Sequence, residues 1–88
     1  MKLYMAHVGF YDNEIGMFEL HSNIFVVAKD ALAAKQKIRE KDVFIAKNMH
    51  IDGLQEMLCI DGYNISVTNA DNYSANKIYD YEAVKNLG

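Results

Sequence analysis

At 88 residues the chain has room for one domain, and a content of 51% hydrophobic and 24% charged residues excludes the disordered class. A domain this small buries only about 60–65% of the surface its extended chain exposes, so its stability is modest and a partner would add to it. The formal charge of −3 argues against general affinity for nucleic acid, which requires a surplus of Lys and Arg to neutralise phosphates.

Residues 2–10 read as a strand with Leu3 and Met5 on one parity and Tyr4, Ala6 and Val8 on the other, so both faces are largely apolar and ask for cover. Gly9 to Gly16, with Asp12-Asn13 between them, has loop chemistry. A second strand is predicted from about Met17 to Ala28, with Phe18, Leu20, Ile24 and Val26 apolar and Glu19, His21 and Asn23 polar. Asp30 can cap a helix over roughly 31–41, whose stripe is Ala31, Ala34 and Ile38 with Leu32 at its edge. Val43-Phe44-Ile45-Ala46 fits a helix, a short strand or a buried connection equally well.

Asp61-Gly62 is the clearest turn, because both residues tolerate the positive φ of a two-residue hairpin. Its second arm alternates, and Tyr63, Ile65 and Val67 are expected to face the core. Cys59 is the one cysteine, which rules out an internal disulfide; it reads as a small core hydrophobe and fits a reducing compartment. The opening segment is too interrupted for a signal sequence and no apolar run is long enough to span a bilayer, so a cytoplasmic location is expected. From Asn69 the chain turns polar, and Tyr79, Tyr81, Ala83, Val84 and Leu87 offer a weak final helix.

The expected fold is therefore α+β: a four-stranded, mainly antiparallel sheet in the order strand, strand, helix, strand, strand, with one covering helix. Residues 1–68 form its domain and 69–88 a tail or weak helix. One helix covers one sheet face, so a homodimer is the expected partner arrangement, with a tail folded over the open face as the alternative.

Two matching pairs stand out, Glu19-Leu20-His21 and His50-Ile51-Asp52. In extended chain Glu19 and His21 point the same way, as do His50 and Asp52, so four polar side chains can build one patch. The pairs offer two nitrogens and carboxylate oxygens, a set compatible with zinc or another first-row divalent ion, although the spacing is no recognised ligand motif and no cofactor is predicted from it. In the structural reading, which the residues favour, each His bonds a carboxylate or carbonyl and tethers the segment before the hairpin to the second strand. A His beside a carboxylate can also act as a general base, but no activated nucleophile accompanies it. Residues 29–47 hold six cations against three carboxylates, a local net of +3 that could touch nucleic acid and is more often a solvated helix face.

The segments Phe18-Glu19-Leu20-His21-x-x-x-Phe25-Val26-Val27, Ala33-Ala34-Lys35, His50-Ile51-Asp52-x-Leu54 and Ile60-Asp61-Gly62-Tyr63-x-Ile65 together resemble the bacterial domain of unknown function 1543. The resemblance spans about residues 2–68 and implies no assigned activity. Chains of that family often carry two copies of the domain, so a single copy implies pairing between chains. It also implies that the Glu-x-His and His-x-Asp pairs belong to a shared architecture.

Overall fold

Parity in the first strand decides which face becomes the core. In the computed structural model, which describes residues 1–88, β1 (Lys2–Phe10) turns Tyr4, Ala6 and Val8 to one side, where they are 3%, 0% and 0% exposed. β1 pairs antiparallel with β2 (Leu20–Ala28) on one side and with β3 (His50–Glu56) on the other, giving the order β2-β1-β3. Opposite the buried residues of β1 lie Val26, Ile24, Leu54 and Ile51, which extend the same apolar face.

That face is closed by α1 (Ala31–Arg39). Asp30 is extended and its carboxylate accepts the Ala33 amide at 2.8 Å, so the helix starts where the capping argument puts it. Ala34 and Ile38, one turn apart, are fully buried against the sheet, and burying the Ile38 side chain contributes about 1.5–3 kcal/mol. Ala31 and Leu32 are exposed, so the packed stripe is narrower than the predicted one. Residues 43–46, open between three readings, lie in a second helix, α2 (Asp42–Ala46), which lays Phe44 on the core. It ends in a left-handed turn: Asn48 has φ 49°, its amide reaches the Ile45 carbonyl at 3.1 Å, and the Met49 amide reaches Phe44 at 3.0 Å. That turn aims the chain into β3.

The predicted second strand is shorter than expected at its start. Phe10, the last residue of β1, pairs with Leu20, so Met17 and Phe18 have no strand opposite them and stand 82% and 81% exposed.

The four-stranded sheet is corrected to three strands plus a separate hairpin of β4 (Cys59–Ile60) and β5 (Tyr63–Asn64). The turn itself forms as expected, with φ 53° at Asp61 and 80° at Gly62. The Met57 amide still bonds Leu3, near the beginning of β1, so the residues after it overrun the end of the sheet. Pairing of the returning arm stops at Ile65, whose amide bonds Leu58. Val67 lies outside any strand and lines a cavity of about 710 Å³ with Met1, Val27, Lys37 and Tyr73. Tyr63 is consequently 73% exposed, Ile65 and Val67 are half-buried rather than core, and Cys59 is exposed rather than a core hydrophobe. The weak final helix forms as α3 (Tyr81–Lys85), capped by Asp80 and burying no residue. No helix of the chain is long and apolar enough to cross a membrane.

At the outer end of the sheet, Glu56 receives the Tyr4 hydroxyl at 3.4 Å and the Lys2 ammonium at 3.1 Å. Burial, reinforced by the Glu56 charge, raises the Tyr4 phenol above its ordinary value of 10.0. The hydrogen bond and charge of Glu56 raise Lys2 above 10.5.

Candidate functional site: a His/carboxylate cluster over Gly9

The face of the sheet opposite α1 changes character along β1. Its odd positions run Leu3, Met5, His7, Gly9, from apolar to polar to no side chain at all. Gly9 sits in one row with His21 of β2 and His50 of β3, flanked by an imidazole on each side. It is buried although it lies on the open face, because the neighbouring side chains close over it. A Cβ at this position would collide with Glu19 Oε1 and stand 2.6 Å from His50 Nε2 and 2.8 Å from Asp52 Oδ2. The glycine is therefore the floor on which the cluster rests.

His50 reaches this face through an irregularity in β3. His7 lies opposite Gly53 and Val8 opposite Ile51, leaving Asp52 as an extra residue, a β-bulge. Leu54 and Glu56 occupy the core parity; with regular alternation Asp52 and His50 would share it. The bulge switches parity, so that Ile51 packs on the core and His50 joins His21.

The four side chains form a closed ring of alternating imidazoles and carboxylates. His50 Nε2 lies 2.5 Å from Glu19 Oε1 and 3.2 Å from Asp52 Oδ1, while His21 Nε2 lies 3.4 Å from Glu19 Oε2 and 3.4 Å from Asp52 Oδ2. All remain partly open to solvent, from 30% for Glu19 to 48% for His50. Glu19, His21, His50 and Asp52, all singled out from the sequence, are thus brought together.

His7 was missed. Its ring stacks on His21, with centroids 4.9 Å apart and planes at 6°, and its Nδ1 donates to Asn23 Oδ1 at 3.1 Å. An amide oxygen only accepts, so that bond requires a proton on Nδ1, and in the neutral ring the lone pair is then on Nε2. The signal was present in the parity of β1, where His7 shares a face with Gly9, two positions along, and every histidine of the chain ends on this one surface. The basic segment is partly committed elsewhere: Lys37 donates to the Val27 carbonyl at 2.8 Å and Lys47 lies 3.9 Å from Asp12.

Fold and cluster together define a small domain of helices and antiparallel strands, helix-covered on one face and bearing a histidine-carboxylate cluster on the other. The profile of the family described as Domain of Unknown Function (DUF1543) matches residues 16–67, more than half of the chain, and the chain belongs to that family. The match includes Glu19, His21, His50 and Asp52; His7 and Gly9 lie before it. Among curated proteins and among solved structures, none matches the chain.

Proposed function

We propose that this domain is a small self-associating binding module whose cluster takes a divalent first-row transition ion. The single observation behind the reading is the convergence of imidazoles and carboxylates over a glycine that leaves them room. Donors around one ion at bond lengths near 2.1 Å stand about 3.0–3.4 Å apart, and three of the four His–carboxylate separations, from 3.2 to 3.4 Å, fall within that window. The donor set of nitrogen and oxygen suits zinc, manganese or their neighbours rather than a soft or an all-oxygen ion. His7 is oriented as metal-ligating imidazoles are, by a hydrogen bond from its Nδ1 to Asn23 Oδ1 that fixes the ring.

The competing reading is a minimal acid/base or metal-dependent enzyme using the same four residues, with His21 or His50 as base or ligand. The cluster's position on open sheet surface favours binding over turnover, since the 710 Å³ cavity is lined by Met1, Val27, Lys37, residues 67–70 and Tyr73 and by none of these four side chains.

The test is zinc and manganese titration of the metal-free protein by calorimetry. Stoichiometric binding is expected, reduced at least tenfold in affinity by His21→Ala and by His50→Ala with circular dichroism unchanged. Absence of binding in the parent protein, or full affinity in both variants, overturns the reading.

A further inference from the structure

We propose that the cluster holds two divalent first-row ions side by side, with Glu19 and Asp52 each bridging between them. This rests on the metal-binding reading and extends it from one ion to a pair.

The bridging pattern is already drawn by the oxygens. Glu19 turns Oε1 to His50 and Oε2 to His21; Asp52 turns Oδ1 to His50 and Oδ2 to His21. In each carboxylate, one oxygen makes the contact to His50 and the other the contact to His21. A carboxylate that chelates one ion directs both oxygens to a common point, whereas each of these two spans from one imidazole to the other.

Donor grouping points the same way. Two triads have their ligand atoms within 4.8 Å of one another, one of His7, His21 and Asp52 and one of Glu19, His50 and Asp52. The histidines divide between the triads and Asp52 belongs to both; Glu19 groups with His50, and its other oxygen lies 3.4 Å from His21 Nε2. Gly9 lies between the two halves, in the row joining His21 to His50, and the missing Cβ keeps the middle clear.

Two dications about 3.5–4 Å apart repel strongly, and such pairs persist where anionic oxygens lie between them. Here two carboxylates occupy that place. The ion on the His21 side would be held by His21, His7 and Asp52 Oδ2, and would draw in Glu19 Oε2, which lies 3.4 Å from His21 Nε2. The ion on the other side would be held by His50 and the remaining oxygens. The first half has two imidazoles and the second has one, so the halves are unequal and removing His7 should empty one of them.

The experiment loads the full chain with Zn²⁺ and with Mn²⁺ and counts ions per chain by native mass spectrometry. Two ions are expected in the parent protein and one in His7→Ala, and the Mn²⁺-loaded parent should give an exchange-coupled paramagnetic resonance spectrum. Saturation at one ion with an uncoupled six-line spectrum overturns the pair while leaving the single-ion reading intact. No bound ion overturns both. Two ions retained by His7→Ala overturn the assignment of His7 to one half.

Discussion

Gly9 carries the cluster by having no side chain. Placing a methyl group there drives Glu19, His50 and Asp52 apart, since the nearest approaches leave no space for it. Gly9→Ala is expected to lower folding stability by about 1–3 kcal/mol and to abolish ion binding. Gly16→Ala, where nothing lies within 4 Å of an added Cβ, is the control and should alter neither. Urea denaturation and zinc titration of the two variants check this; a Gly9→Ala protein that binds zinc normally would contradict the cradle. At the far end of the same strand, Lys2 and Tyr4 both have raised proton affinities in the folded state. Their stabilisation is fully present below the ordinary values of 10.5 and 10.0, and is lost as pH rises through the folded values. Urea midpoints should therefore begin to fall near pH 10, less steeply in Tyr4→Phe, and an equal slope in that variant would count against the Tyr4 contribution.

β3 shows why local irregularity matters more to this site than regular pattern. Its bulge makes Ile51 a core residue and His50 an open-face residue, on opposite sides of one inserted Asp52. Deleting Asp52 leaves Gly53 opposite His7 and Ile51 opposite Val8 in a regular ladder. The deletion variant is expected to fold with a melting temperature within a few degrees of the parent and to lose ion binding. An unfolded deletion variant would mean that the bulge is needed for the strand itself. Much of the fold was legible from such patterns: the parity of β1, the Asp30 cap and the Asp61-Gly62 turn each follow from one local interaction that fixes geometry within a few residues. The four site residues were legible from spacing, although the route taken by His50 through a bulge was not. What could not be read was where pairing stops. Alternation at Tyr63, Ile65 and Val67 states that a strand is acceptable, while the overrun past the start of β1 decides that no fourth strand forms. His7 escaped notice for a related reason, since its importance depends on Gly9 and on two partners far away in sequence.

Across the whole molecule the core is thin, with eight residues of 88 buried, while Ile15, Met17, Phe18 and, on the open face, Phe25 lie 55–82% exposed. Both outer strands of the three-stranded sheet also have free edges. Self-association is expected on these grounds: light scattering at working concentrations should give twice the chain mass, and Phe25→Glu should halve it. A monomeric parent protein would remove the dimer. The cluster draws its donors from β1, from β2 with the residue before it, and from β3, segments that meet only after the sheet has closed. The denatured chain possesses no equivalent arrangement, so any ion that settles on the face works as an external staple. At a hundredfold excess over its dissociation constant it would add about 2.7 kcal/mol, a large share of what so slender an interior supplies by itself, and a chelator would then act on this protein as a denaturant.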